Sequence, residues 1–329
     1  MRPVKAWQVA EKGHPSTALK LVDIPKPEPG PNEALIRVRA GTVNFADILL
    51  CQGIYQDRPP LPFVPGLETS GIVEAVGEGV DLPVGAHVGA MSALPAGGFA
   101  EYALIRAGAA LEFPKDVPFP DLTLLYSTYQ TSHVGLFHRG KLAAGEWLFV
   151  LAGASGVGAA AIQLGRAAGA KVIAAAGSPD KLAFCEAQGA HHVIDYRKDD
   201  VGQELKRITE GRGVDVVYDP VGGALADEVR RHVAWEGRYL IIGFAGGGVP
   251  QFPANHLLVK NYSVVGVHWG VYHQHSRAVI EEAHADILRR YAAGELKPPV
   301  TRTLPLEGIP EALAALESRE VAGRLVVTP

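Results

Sequence analysis

The sequence predicts an α/β protein of two domains: a mostly antiparallel β domain, then a doubly wound sheet of six parallel strands. Three observations carry that expectation. The 329 residues are too many for one comfortable core. Residues 1–120 break into short β-branched or alternating runs separated by Pro/Gly turns such as "PKPEPGPNE". From about Asp121 the period changes, and wholly apolar runs alternate with helix-like segments.

In the first part "LKLVDIP", "EALIRVRAG", "SGIVEAVG" and "FAEYALIR" read as strands of a barrel or sandwich. In the second, "EWLFVLA" (146–152) is a short buried strand and "GVGAAAIQLGRAAGA" (156–170) a helix closed near Gly169. "KVIAAA" is the next strand. In "SPDKLAFCEAQG" Ser178 is the N-cap, Pro179 takes the first helical position and Gly189 lies past the end. "HHVIDY", "VDVVYD", "GRYLIIGF" and "YSVVGVH" supply four more strands, with helices near 199–210 and 224–234. Strands apolar throughout imply a parallel sheet covered on both faces. The tail gives a helix from about Ser276 to Tyr291, then "TRTLPL", a second helix and "GRLVVT", a mixed segment expected to return to the first domain.

Composition narrows the function. Net charge is −4 and there is no Lys/Arg run, so nucleic acid is not an expected partner. The N-terminus lacks a signal-peptide core and no apolar run is long enough for a membrane span. Cys51 and Cys185 cannot build a disulfide framework or a four-cysteine zinc lobe. The expectation is a cytoplasmic protein that binds neither nucleic acid nor membrane.

The stretch "LAGASGVGAAA" places Gly153, Gly156 and Gly158 where a strand turns into a helix. Glycine permits tight dihedrals there and lets backbone N–H groups approach a pyrophosphate at a helix N-terminus. The spacing is G-x-x-G-x-G, and the other reading is a tight turn with no ligand. The second strand ends in Gly177 and Ser178, where an NAD-selective site carries an acid on the ribose 2′-hydroxyl. No acid would repel a 2′-phosphate, and Lys181 one turn on offers a point charge, its other reading being a solvated surface lysine. NADPH is therefore the expected cofactor. In "VHWGVYHQH", His268, His273 and His275 are irregularly spaced with no adjacent acid or cysteine, so no metal site is expected there.

These motifs resemble the medium-chain dehydrogenase/reductase superfamily, and in detail its zinc-free quinone oxidoreductase branch, the zeta-crystallin-like NADPH:quinone reductases. The likeness runs along the chain through "AGTVNFADILLCQGIY", "PFVPGLETSGIVEAVGEGV", "GGFAEYALI", the glycine loop, "VVYDPVGG" and "ESREVAGRLVV". It implies a GroES-like substrate domain at 1–122 and 271–329 and a Rossmann domain at 123–270. In the zinc members a cysteine stands where this chain has Asn44, and a Gly-His-Glu motif supplies histidine where this chain reads Gly66-Leu67-Glu68. Asparagine and leucine do not replace thiolate and imidazole on zinc, and the cysteine-rich lobe is replaced by "MSALPAGG".

Without a Lewis acid, hydride delivery to an already electrophilic quinone or enone is the implied chemistry, in a cleft between the domains. The resemblance assigns Asn44 as a donor to a carbonyl and Tyr55 as a donor or stacking face. It also places Asp47 in that site, with organising the loop as its alternative role, and Thr131 near the nicotinamide. Asn44 could instead cap a turn and Tyr55 be an ordinary half-buried tyrosine. Glu68 is expected to support the domain junction. A further family tyrosine is replaced by the aliphatic Ile48–Leu50. On the cofactor side the resemblance implies Gly153, Ser155, Gly156, Val157 and Gly158 for the pyrophosphate, Ser155 standing where the family often has glycine. Gly177, Ser178, Lys181 and Tyr196 match the 2′-phosphate pocket, and Arg319 and Gly323 a C-terminal segment that reaches the cofactor. Phe244 and Ala245 fall where the chain passes the nicotinamide, and His268 and Trp269 are expected to line the cofactor cleft. A homodimer through the edge strand "YSVVGV" is expected. The rival readings are an enoyl-thioester (CoA) reductase and a non-enzymatic NADPH-binding stress or RNA-binding protein.

Overall fold

The structure, a computed structural model, describes residues 3–329. Its strands run β1 (Val4–Val9), β2 (Leu19–Ile24), β3 (Glu33–Thr42), β4 (Glu68–Val76), β5 (His87–Met91), β6 (Tyr102–Arg106), β7 (Leu111–Phe113), β8 (Trp147–Val150), β9 (Lys171–Ala176), β10 (His192–Asp195), β11 (Val214–Asp219), β12 (Val233–Ile241), β13 (Ser263–Gly266), β14 (Val300–Pro305) and β15 (Arg324–Thr328). They gather into two compact units. One holds the residues up to Ser127 with Val300–Pro329, the other Thr128–Pro299.

The first unit is built on a sheet ordered β14-β15-β3-β4-β5-β7, with β6 also on β3 and with β1 and β2 as a separate antiparallel pair. Its pairings are antiparallel except β14 with β15. Ala6, Val9, Ile48, Leu50, Phe63 and Phe99 share one core with Leu325 and Val327 of β15. Burying side chains of this size contributes about 1.5–3 kcal/mol each, which ties the C-terminal strand firmly to this unit. In that register Val326 lies opposite Thr42 and Val327 opposite Gly41. Chain ends far apart in sequence therefore meet where β3 runs out toward Asn44.

The second unit is a fully parallel sheet in the order β10-β9-β8-β11-β12-β13. The chain moves from β8 outward to β9 and β10, then crosses back to β11. That reversal beside β8 is the switch point at which doubly wound sheets bind nucleotides. Phe149, Ile173, Val217 and Tyr239 are wholly buried in its core, as expected for strands with helices on both faces. The helix Pro179–Ala187 starts as its sequence predicts: Ser178 Oγ accepts from the Lys181 N–H at 3.4 Å, and Gly189 beyond it has φ +107°.

The structure corrects two boundaries, and residues 123–127, expected with the second domain, belong to the first unit. Residues 271–299, expected with the first domain, belong to the second unit, and the crossing falls at Pro299/Val300. The helix Arg277–Ala292 buries Ile280, Ala283 and Ile287, a one-sided stripe at helical spacing. Its partner is the helix Gln130–His133, where Gln130 Nε2 donates to the Ile280 carbonyl (3.4 Å) and His133 Nε2 pairs with Asp286 Oδ2 (3.0 Å). Such a stripe demands a partner without saying which domain provides it. Among the described residues no helix is long and apolar enough to cross a membrane.

Candidate functional site

In the second unit the turn from β8 into the helix Gly156–Ala167 is held by its own side chains. Ser155 is the N-cap, and its Oγ accepts from the Gly158 N–H at 3.1 Å. This leaves the first N–H groups of the helix, at Gly156 and Val157, with no acceptor inside it. Together with the positive helix end, those N–H groups suit an anionic ligand. The Ser155 hydroxyl thus has a structural partner, and its own hydrogen remains to donate.

The glycines act differently from the sequence expectation. The left-handed residue of the turn is Ala152 (φ +48°), while Gly153, Gly156 and Gly158 have no positive φ. Close approach is what demands glycine: a Cβ on Gly158 would run into the Ala152 carbonyl oxygen, and one on Gly153 would lie 2.9 Å from Cys185 Sγ. Helix and strand are packed too closely there for any side chain.

At the end of β9, Gly177 lies under Tyr196. A Cβ on Gly177 would be 2.5 Å from Tyr196 Oη and 3.1 Å from Arg197 Nε. Gly177, Tyr196 and Arg197 are thus brought to one place, and the helix that Ser178 caps through the Lys181 N–H starts directly after Gly177. Sequence reasoning missed Arg197 because "DYRKDD" reads as a solvated charge run. The signal was a cation directly after the tyrosine already singled out. No Asp or Glu follows Ala176 where an acid would meet a ribose 2′-hydroxyl. A guanidinium and a phenol beside a bare glycine, at the start of a helix that carries Ser178 and Lys181 in its first turn, fit a phosphate monoester.

Beyond β12 and β13 the same unit has an open pocket of about 550 Å³. Phe244 and His268 line it with Ile242, Val267, Tyr272 and Arg139. Two other expected residues stand beside it without lining it. Ala245 donates its N–H to the Pro220 carbonyl (3.1 Å), and the Trp269 ring lies edge-on to His273 at 5.3 Å. Burial, then the Arg277 charge, lowers His273 to about 4, so its ring is neutral at neutral pH. Thr131 is half-buried next to Ser132, whose hydroxyl donates to the Val157 carbonyl at 3.0 Å. Among the described residues no group of three or more His, Cys, Asp or Glu side chains is placed to hold a metal ion.

In the first unit Asn44 is the N-cap of the helix Phe45–Gln52, in a capping box with Asp47, and its carboxamide also makes bonds beyond the helix. Asn44 Oδ1 accepts from Arg324 Nη2 at 2.5 Å, and Nδ2 donates to Thr42 Oγ1 at 3.2 Å. Thr42 donates in turn to Glu68 Oε2 (2.8 Å), as does Ser127 (2.6 Å), and Arg324 Nη2 lies 3.6 Å from the same oxygen. The carboxamide is therefore one member of a closed polar ring, and Glu68 is its hub. Thr42, Ser127 and Arg324 were not foreseen, since each stands in a run that reads only as strand or helix.

Asp47 is fully buried, and its carboxylate accepts from three backbone N–H groups: Asn44 (2.8 Å), Gly66 (3.2 Å) and Leu67 (3.0 Å). Burial pushes it up to about 7 against the opposing pull of those donors. It ties the 66–67 turn to the start of the helix and so sets the spacing of Asn44 and Glu68; it does not reach the site surface. Tyr55 is half-buried, its phenol held above the ordinary range mainly by burial, and so stays a protonated donor. Arg319 (φ +58°) and the buried Gly323 (φ +75°) lie in the first unit, shaping the turn into β15.

A β domain carrying a fixed polar ring, with a six-stranded sheet in the dinucleotide-binding order, suits an oxidoreductase. Residues 30–115 match the family model described as alcohol dehydrogenase GroES-like domain, and 156–285 the one described as zinc-binding dehydrogenase. The chain is 35% identical over 301 residues to a quinone oxidoreductase-like protein 2 homolog of Nematostella vectensis, covering 91% of this chain and 82% of that protein. It superposes on a probable oxidoreductase from Mycobacterium abscessus with a TM-score of 0.88 at 33% identity, over 100% of this chain and 99% of that one. On the Escherichia coli quinone oxidoreductase complexed with NADPH the TM-score is 0.89 at 29% identity, over 99% of each chain. The chain belongs to the quinone oxidoreductase family of medium-chain dehydrogenases/reductases.

Proposed function

We propose that this protein is an NADPH-dependent, zinc-independent reductase of quinones or α,β-unsaturated carbonyl compounds. NADPH, when bound, supplies a hydride. Gly156 and Val157 bind its pyrophosphate through their N–H groups, and Ser178, Lys181, Tyr196 and Arg197 bind its 2′-phosphate. Phe244 and His268 flank the nicotinamide. Asn44 donates its remaining N–H to the acceptor oxygen, where negative charge develops as hydride arrives, and Tyr55 gives a second donor or a ring face. The observation that carries the reading is the Asn44 carboxamide held in the Arg324–Thr42–Glu68 ring, at the position where zinc relatives carry a cysteine ligand. Leucine at 67, in place of the second ligand, supports the same reading. The resemblance to NADPH-complexed quinone oxidoreductases supports the cofactor.

The deciding experiment follows the loss of reduced-nicotinamide absorbance, with NADPH and NADH, against 1,2- and 1,4-quinones, enones and crotonyl-CoA. Turnover of quinones or enones with NADPH is expected. Tight NADPH binding without turnover of any acceptor would overturn it, and turnover of crotonyl-CoA alone would replace it with the thioester reductase. We also propose a homodimer through β13, which ends the sheet order and is preceded by the exposed Leu258 and Val259. A reducing, cytoplasmic compartment suits two cysteines that are buried and unpaired.

A further inference from the structure

We propose that Arg324 is a positioning residue for the reduction, acting on the acceptor oxygen through the Asn44 carboxamide. The inference rests on the reading that Asn44 donates to that oxygen.

A guanidinium has donors only, so the 2.5 Å bond from Arg324 Nη2 fixes which end of the amide faces it: Oδ1 toward arginine, Nδ2 away. The Thr42 hydrogen is committed to Glu68, so Thr42 Oγ1 offers a lone pair, and Asn44 Nδ2 takes it at 3.2 Å. Both neighbours therefore specify the same rotamer. One Nδ2–H is left over, and it is the only donor of the carboxamide not used inside the ring. A cation on the amide oxygen also draws charge from the nitrogen. This makes that last N–H a stronger donor than a free asparagine offers, the cooperative effect of a polar chain in a partly dry site.

Arg324 is itself built for a fixed task. Its side chain is 14% exposed, Nη2 lies 3.6 Å from Glu68, and Nη1 reaches the Val43 carbonyl at 3.5 Å. Its Nε is buried with no partner. An orphaned donor is a standing cost, and nothing in strand pairing requires it. β15 is already joined to β3 through the Val326–Thr42 and Val327–Gly41 register and through Leu325 and Val327 in the core. A residue needed only to staple the strands would not have to be an arginine aimed at an amide.

The test is a double-mutant cycle on Arg324→Ala and Asn44→Ala, with steady-state kcat and, by fluorescence titration, the NADPH dissociation constant. Each single variant is expected to lower kcat by about 10- to 100-fold, at or below the loss of a direct oxyanion donor, while NADPH affinity changes less than about twofold. The double variant should be no slower than Asn44→Ala, and guanidinium added to Arg324→Ala should restore part of kcat. Losses that multiply in the double variant, or a lowered NADPH affinity that accounts for the whole Arg324 effect, would overturn the inference and leave the Asn44 reading standing. An unchanged kcat in Asn44→Ala would instead overturn that reading and the inference with it. Should Arg324→Ala fail to fold, Arg324→Lys runs the same cycle. It keeps the charge, loses the planar fork, and should fall between wild type and Asn44→Ala.

Discussion

Removing the Arg197 side chain tests the cofactor assignment most directly, because the structure separates what NADPH and NADH would feel. The guanidinium hangs over Gly177 beside Tyr196, and its backbone N–H is bound to Asp195 Oδ1 at 3.1 Å, a bond that Arg197→Ala keeps. Tyr196 is 42% exposed, so this corner is water-like rather than dry. At about 4 Å a unit charge pair in water is worth about 1 kcal/mol, and a phosphate monoester carries nearly two charges. Arg197→Ala should therefore weaken NADPH by about 1–2 kcal/mol, about 5- to 30-fold in Kd, and leave NADH unchanged. Lys181→Ala should act in the same direction. Fluorescence titrations with both nucleotides at low and high salt read this out, the difference between wild type and variant shrinking as salt screens the exposed charges. Equal weakening of NADPH and NADH would refute the 2′-phosphate assignment.

Gly158→Ala should give the opposite pattern. Its Cβ meets backbone, so thermal unfolding should register a loss of about 1–3 kcal/mol, and both nucleotides should weaken together; a selective loss of NADPH would refute the turn's role at the pyrophosphate. Asp47 predicts a pH dependence. Its folded value of about 7 lies above its ordinary 3.8, so the unfolded chain ionises first, and stability falls as pH rises between those values, by at most about 4 kcal/mol. Denaturant unfolding at several pH values should show wild type losing ground to Asp47→Asn over that window, and parallel curves would count against a buried carboxyl that resists ionisation. For the dimer, size-exclusion chromatography should give twice the 34.9 kDa chain mass, and Val264→Asp on β13 should halve it; wild type eluting at the single-chain mass would end the proposal.

The parallel sheet was legible because each of its signals is local. Ser178, Pro179 and Gly189 announce one helix at three adjacent points, and wholly apolar strands such as "VDVVYD" announce burial on both faces. Asn44, Tyr196 and the glycine turn were legible for a related reason: motif residues sit close together in the chain. Arg324 was not, because its partners Asn44 and Glu68 lie over 250 residues away and only the β15–β3 register brings them together. The same limit misplaced residues 271–299, whose apolar stripe is plain but whose partner helix is 150 residues upstream. The glycine turn shows a third kind of limit. Its composition suggested dihedral freedom, yet the strained residue is Ala152, and only the packing of helix on strand reveals why Gly158 has no side chain.

The position of β15 also governs when the protein can become competent during synthesis. The second unit is an insertion within the first, so its six strands leave the ribosome together and can fold as a unit while the first still lacks its closing strand. Until Arg324–Thr328 emerges, β3 has an open edge, Glu68 lacks its cation, and the Asn44 amide is free to turn over. A ribosome-bound chain stalled before that strand would hold a formed nucleotide turn but an unfinished acceptor site. The order of translation would then keep hydride transfer off until Arg324–Thr328 is in place.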